Sequence, residues 1–331
     1  MINVKGISYI EFAAPYDNFY KKLFQTLGFE KIALAARPCI EYADLILHNY
    51  SGEIYKQNDI TFIVYAKEFS FSREFYEKHG PSVSSFSFAV DNPVTALKEA
   101  IKLGCKNVSP RSYLHAIEGV GESKIFLTKS TPPASNKGVG LKYIDHLTNN
   151  VYPGNMGKWS KFYETVFGFR LLKYFDIDGQ QTGLVSRAMG KDIIAIPINE
   201  DKSDKGQIAE YLRKYNGEGV QHIALLTDDI YDSVEKLRKN GIEFLDIPDT
   251  YYEMIDERIP NHNEDLERMK KNKILIDGEE GSILLQIFTK TVIGPVFFEI
   301  IQRKNNKLFG DGNFAALFRA IEEDQVQRGV L

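Results

Sequence analysis

Apolar and polar positions in this chain fall into patterns that occur twice. Tyr9-Ile10-Glu11-Phe12 alternates as a half-buried strand does, and Phe19, Leu23 and Leu27 then follow at the four-residue step of one helical face. Gly28 closes that stretch, suited to the left-handed turn after a helix. The same order returns in Tyr143-Ile144-Asp145-His146, then Trp159, Tyr163 and Phe167, then Gly168. The two glycines lie 140 positions apart. A second pattern, Phe86-Ser87-Phe88-Ala89-Val90 followed by a helical stretch to Gly104, is matched by Ile223-Ala224-Leu225-Leu226-Thr227 and a helical stretch to Gly241, 137 positions on.

Two agreeing offsets mark an internal repeat. The chain therefore reads as four strand–helix–strands modules, two in each half. Short strands rich in Ile, Val, Phe and Tyr are broken by turn signals at Asp178-Gly179 and Asp277-Gly278. The expected fold class is α+β, with two domains, each built from paired βαβββ modules that form a curved, barrel-like, mostly antiparallel mixed sheet. Regular strand–helix alternation, which a doubly wound parallel fold needs, is missing from 171 to 200. The run 129–138, rich in Pro, Ser, Gly and Asn, reads as a junction. It divides an N-terminal domain (1–129) from a linker (130–139) and a C-terminal domain (140–331).

Composition narrows the function classes. The chain has 331 residues, with 41 basic against 45 acidic side chains, so nothing suggests a nucleic-acid or acidic-membrane partner. With 22 Phe and 18 Tyr it is too apolar for disorder. No apolar run approaches the roughly 20 residues that cross a bilayer. Cys39 and Cys105 cannot build a disulfide framework. The expectation is a folded cytoplasmic protein without a signal peptide.

Six histidines are present, and the repeat singles out two. His146 and His222 lie on the first strands of successive modules, so pseudo-symmetry brings them into one cavity. Their counterparts in the first half are Phe12 and, approximately, Ser85, which makes that half metal-free. Val296-Phe297-Phe298-Glu299-Ile300-Ile301 carries one carboxylate in an apolar strand, where an unpaired charge is costly. Either a metal or a buried arginine, with Arg303 near in sequence, would remove that cost. Two imidazoles and one carboxylate from three strands match the facial arrangement of non-haem Fe(II) oxygenases. Gly217-Glu218-Gly219-Val220-Gln221-His222 begins like a dinucleotide loop, but His222 replaces the third glycine and the segment opens a strand.

Tyr143-Ile144-Asp145-His146-Leu147-Thr148-Asn149-Asn150-Val151, Gly219-Val220-Gln221-His222-Ile223-Ala224, Leu284-Leu285-Gln286-Ile287-Phe288-Thr289, Phe298-Glu299-Ile300-Ile301-Gln302-Arg303 and Phe309-Gly310-Asp311-Gly312-Asn313-Phe314 resemble the 4-hydroxyphenylpyruvate dioxygenase family. The likeness is dense from 140 to 331 and thinner before 130, where Tyr9-Ile10-Glu11-Phe12-Ala13-Ala14 is its clearest block. It implies the vicinal-oxygen-chelate fold and the conversion of 4-hydroxyphenylpyruvate and O2 to homogentisate and CO2 in tyrosine and phenylalanine catabolism. It implies Fe(II) held by His146, His222 and Glu299. Gln207, Gln221, Gln286 and Asn199 match the polar groups of the family's pocket, and Phe288 and Phe314 its aromatic walls. Phe309 and Asn313 fall on a segment like the family's C-terminal gating helix. Family members form dimers or tetramers, so a homo-oligomer is expected.

Two positions depart from the resemblance: Gly206 stands where the family often has Ser, and Asp201 where it often has Pro. Three other functions compete. 4-Hydroxymandelate synthase uses the same iron and substrate, although Pro197, Asn199 and Phe314 follow the dioxygenase pattern. Extradiol cleavage would want a further histidine near the metal, and His262, in a polar loop, is the sole remaining one in that half. A non-enzymatic small-molecule-binding protein would not need two His and one Glu on three inward strands.

Overall fold

The computed structural model describes residues 1–32, 52–110, 112–131, 134, 136–306 and 310–329, so Cys39, His48 and Phe309 lie outside the described residues. The first half supplies β1 (Gly6–Ala13), β2 (Glu30–Ile32), β3 (Glu53–Gln57), β4 (Ile60–Val64), β5 (Ser82–Ala89), β6 (Ala116–Glu118) and β7 (Lys124–Thr128), with helices α1 (Lys21–Thr26), α2 (Phe71–His79) and α3 (Pro93–Lys102). The second half supplies β8 (Leu141–Val151), β9 (Arg170–Asp178), β10 (Gly183–Lys191), β11 (Ile194–Asp201), β12 (Gly219–Thr227), β13 (Leu275–Glu279), β14 (Ser282–Phe288) and β15 (Phe297–Lys304). Its labelled helices are α4 (Met156–Phe167), α5 (Gln207–Tyr215), α6 (Ile230–Asn240), α7 (Leu266–Asn272) and α8 (Asp311–Gln327).

The strands form two mixed sheets, ordered β2-β3-β4-β1-β5-β7-β6 and β13-β14-β15-β12-β8-β11-β10-β9. Each module closes by laying its last strand parallel beside its first: β1 with β4, β5 with β7, β8 with β11, β12 with β15. Paired modules then meet antiparallel along β1/β5 and β8/β12. The α+β two-sheet reading therefore holds, and the second sheet curls into a half-barrel. The second module is abbreviated: among the described residues only β6 and β7 follow α3, and its third strand shrinks to the single bridge Asn107–Ile117.

The helical spacing holds in the second half and is corrected in the first, where Phe19 precedes α1 and is exposed, Leu23 is half-buried, and Tyr20, Phe24 and Leu27 are the residues that pack inward. In α4, Trp159, Tyr163 and Phe167 are buried on one side, and Gly168 ends the helix in a left-handed turn at φ 69°. The expected turn at Asp277-Gly278 lies elsewhere, because both residues sit inside β13, paired with Leu284 and Ile283. The hairpin turns at Glu280-Gly281, and Asp277 instead accepts the backbone N–H of Gly312 at 2.7 Å, fastening the start of α8.

One apolar core joins the two halves. Ile10, Phe12, Phe62 and Phe88 share it with Ile144, Leu147, Ile223, Leu225, Phe298 and Ile300. Phe62 and Phe298 stack with ring centres 5.8 Å apart. The opposite, concave face of each sheet is thereby left for polar groups. A β-bulge decides which residues reach it in β8. Ala224 pairs with His146 and Leu225 with Ile144, so Asp145 is an extra residue, and Asp145 and His146 both turn away from the core. In β1 that extra residue is absent; Phe12 packs on Phe24 and Phe62, while Glu11 faces Ser72 and Ser85. The residue that stands where His146 does is consequently Glu11, and the alignment of His146 with Phe12 is corrected.

Candidate metal centre and substrate pocket

His146, His222 and Glu299 come from β8, β12 and β15, and all three are buried. Their ligand atoms lie within 4.8 Å of one another. Glu299 Oε2 is 3.2 Å from His146 Nε2 and 3.4 Å from His222 Nε2. The register explains this convergence of side chains distant along the chain. Ala224 on β12 pairs with His146 on one side and Glu299 on the other, and its methyl group is too small to keep them apart. Among the described residues no other trio of His, Cys, Asp or Glu gathers in this way.

The electrostatics follow from burial and neighbours. Burial alone would push the Glu299 carboxyl up, but the charge and hydrogen bonds of His146 and His222 hold it well below its ordinary range. Burial would lower the His146 ring, and Glu299 and Asp145 outweigh it, raising it. The His222 ring is lowered, chiefly by burial. A carboxylate facing two ring nitrogens inside a dry core is a cation site in its chemistry: nitrogen and oxygen donors, one negative charge, and open space on one side.

The remaining expected residues divide into groups. Gln286 Nε2 donates to Glu299 Oε1 at 2.7 Å and so aims Oε2 at the imidazoles. Asn313 Nδ2 in turn donates to Gln286 Oε1 at 2.8 Å, and Tyr251 donates to Asn313 Oδ1 at 3.0 Å. A small pocket of about 40 Å³ is lined by His146, Asn199, His222, Gln286, Phe288, Glu299 and Phe314, among others. Gln207 and Gln221 instead line a neighbouring cavity of about 480 Å³. Gln221 links the two spaces: its Oε1 lies 3.0 Å from His222 Nδ1 and accepts from Asn199 Nδ2 at 3.5 Å. Asn199 Oδ1, Ser186 Oγ and Gln207 Nε2 are buried without a hydrogen-bond partner among the described residues. Such orphaned groups cost about 1–3 kcal/mol each until a ligand meets them.

Several contributors escaped the sequence reading. Thr148 Oγ1 lies 2.9 Å from His222 Nε2, and its place two residues after His146 on one strand was a usable signal. Phe297 stacks on the His222 ring at 4.9 Å, and Phe175 meets Phe314 edge-on at 5.0 Å. Arg303, open as a partner for Glu299, forks instead onto Asp145. His262 lies in the irregular segment after a turn, bonds Asp256 at 3.0 Å, and is not among the residues that line the pocket at the three donors. The two departures at 201 and 206 fit each other. A Cβ on Gly206 would meet Asp201 Oδ1 at 2.3 Å, and that carboxylate accepts the Ala209 N–H at 2.9 Å in the first turn of α5.

Comparison with known proteins places these features. The family described as "Hydroxyphenylpyruvate dioxygenase, HPPD, N-terminal" matches residues 1–131, and the "Glyoxalase/Bleomycin resistance protein/Dioxygenase superfamily" matches 143–254. A 4-hydroxyphenylpyruvate dioxygenase of Legionella pneumophila is 44% identical, covering 98% of this chain and 96% of its own length. A protein of Vibrio vulnificus named Hemolysin VllY is also 44% identical over 100% of this chain and 97% of its own. Among solved structures, a mutant 4-hydroxymandelate synthase from Streptomyces coelicolor superposes with a TM-score of 0.82 over 98% of this chain and all of that one. At 23% identity that likeness speaks for the fold.

Proposed function

The chain belongs to the 4-hydroxyphenylpyruvate dioxygenase family, and on that premise we propose that it converts 4-hydroxyphenylpyruvate and O2 to homogentisate and CO2, using Fe(II) held by His146, His222 and Glu299. The meeting of those three buried ligand atoms within 4.8 Å carries this reading. When bound, ferrous iron supplies the chelation of the 2-oxo acid and the activation of O2. The protein's residues supply the rest. Gln286, braced by Asn313, holds the Glu299 carboxylate in position. Phe288 and Phe314 flank the substrate ring, and their faces favour aromatic contact. Asn199, Gln207 and Gln221 offer uncharged amides to the phenol and carboxylate.

The C-terminal helix α8 acts as the cover. Phe314 and Leu317 help to line a pocket of about 40 Å³, far below the several hundred Å³ of a pocket that holds an organic ligand. An arylpyruvate enters only when that helix shifts, and its return excludes water before the chemistry begins. Residues 1–129 form the metal-free supporting domain, and 140–331, joined through 130–139, the catalytic one. The protein works in the cytoplasm, where a ferrous site and the unpaired Cys105 thiol stay reduced. No helix among the described residues is long and apolar enough to cross a membrane. Exposed Tyr16, Phe19, Phe69 and Tyr113 support assembly into a dimer or tetramer, which light scattering tests.

The deciding experiment supplies purified protein with Fe(II), ascorbate, O2 and 4-hydroxyphenylpyruvate and identifies the product. Homogentisate is expected. 4-Hydroxymandelate would assign the sister reaction, and no oxygen uptake would reject both.

A further inference from the structure

The two imidazoles of the centre are held by unlike neighbours. His222 Nδ1 meets an uncharged amide oxygen, Gln221 Oε1, at 3.0 Å. His146 Nδ1 meets a carboxylate, Asp145 Oδ1, at 2.8 Å. That carboxylate is gripped in turn by Arg303, with Nε donating to Oδ2 and Nη2 to Oδ1, each at 2.8 Å. All three side chains are largely buried: Asp145 is 7% exposed, His146 4% and Arg303 17%. Consecutive residues on a regular strand face opposite ways. Asp145 reaches the ring of His146 because it is the extra residue of the β8 bulge.

The same contact spans the sheet. Arg303 lies four residues after Glu299 on β15, and Asp145 lies one before His146 on β8. β15 and β8 are not neighbours, since β12 runs between them. The fork from Arg303 to Asp145 is thus a brace across β12, parallel to the approach of Glu299 to His146. Around it, Ala224, Leu226, Ile301 and Tyr143 form a small apolar cluster that keeps the brace dry.

We propose that Asp145 and Arg303 are positioning residues for the metal. Asp145 holds His146 with its proton on Nδ1, so that the lone pair on Nε2 faces Glu299 and His222. Arg303 occupies both oxygens of Asp145 in a buried setting, where an unpaired carboxylate would be expensive, and ties the two ligand-bearing strands together across β12. His222 has no such charged brace at Gln221, so His146 is the stiffer of the two imidazole ligands. The inference rests on reading His146, His222 and Glu299 as metal ligands.

Metal affinity, and not turnover, is the test. Metal-stripped protein is titrated anaerobically with Fe(II) by calorimetry and with Co(II) by its visible absorption, circular dichroism confirming the fold. Asp145→Ala is expected to weaken binding about 10- to 100-fold and to alter the Co(II) spectrum. Asp145→Asn, which keeps an oxygen facing Nδ1, should lose less, and Gln221→Ala less than Asp145→Ala. Arg303→Gln should weaken binding in the native background and add little to Asp145→Asn, because it acts through that residue. If Asp145→Ala fails to fold, Asp145→Asn and Arg303→Gln carry the same comparison. His146→Ala, run alongside, should abolish binding. Should it do so while folded Asp145 and Arg303 variants bind within twofold of the native chain, the brace is overturned and the ligand assignment stands. Native protein that takes up neither metal overturns both.

Discussion

The concave faces of the two sheets hold related positions and treat a buried carboxylate in opposite ways. In the first sheet Glu11 is met by the chain's own hydroxyls: Ser72 on α2 and Ser85 on β5 donate to it, the latter at 3.0 Å, with Lys124 on β7 beside the group. In the second, Glu299 looks at His146 and His222. One scaffold can thus silence a buried acid with internal donors or leave it to be met by a cation. At these positions the two differ by a handful of side chains and one bulge, on sheets whose central strands follow the same order.

Five substitutions break or sharpen that contrast. The largest effect is expected from Glu299→Ala, which should remove bound metal and lower turnover at least about a thousandfold, the equivalent of several kcal/mol of lost charge stabilisation. Glu11→Gln, by contrast, should leave the metal content of the purified protein unchanged; a loss there would erase the distinction. Next, Ala224→Leu should fill the floor between His146 and Glu299. Metal uptake should then fall by at least about tenfold, with an overpacking cost of about 1–3 kcal/mol seen in thermal melts.

A smaller effect concerns α8, for which the described part of the first half has no equivalent. Glu322 accepts the N–H groups of Gln180, Gln181 and Thr182 and the Thr182 hydroxyl at 2.8–3.1 Å, tying the helix to the β9–β10 turn. Glu322→Ala should loosen α8 by about 2 kcal/mol, seen as faster hydrogen exchange over 311–327 and unchanged exchange in β1–β7.

The smallest lies at the seam between halves. His79 donates from Nδ1 to the Tyr215 carbonyl at 3.0 Å, its Nε2 is buried with no hydrogen-bond partner among the described residues, and Phe75 packs on its ring. Burial lowers its ring below the ordinary 6.5 against the hydrogen bond to the Tyr215 carbonyl, with Lys78 adding to the fall and Glu122 opposing it. The unfolded chain therefore takes up the proton first. Stability should be complete above pH 6.5 and decline as pH drops below it, and His79→Gln should flatten that decline in denaturant titrations.

Much of the fold was legible because it rests on local periodicity. The helical faces of α4 and α6, the glycines that end them and the opening of β12 at Gly219 all follow from short-range pattern. The turn at Asp277-Gly278 misled because Gly278, at φ 122°, tolerates a backbone that remains paired within β13. The site was legible in its donors, since a carboxylate among Phe and Ile announces a compensating group. Which group that is depends on strands brought together from afar.

Residue order alone determined the repeat, the two-sheet architecture and the three donor side chains, because periods of 2 and 3.6 and the cost of burying charge act within a few neighbours. Tertiary structure alone decided that His146, and Glu11 in place of Phe12, turn to the concave face, since a bulge shifts a strand's phase by one residue. It alone assigned Arg303 to Asp145 and left Glu299 to the imidazoles. Cross-strand register sets those partners, and register is fixed by the packing of whole sheets.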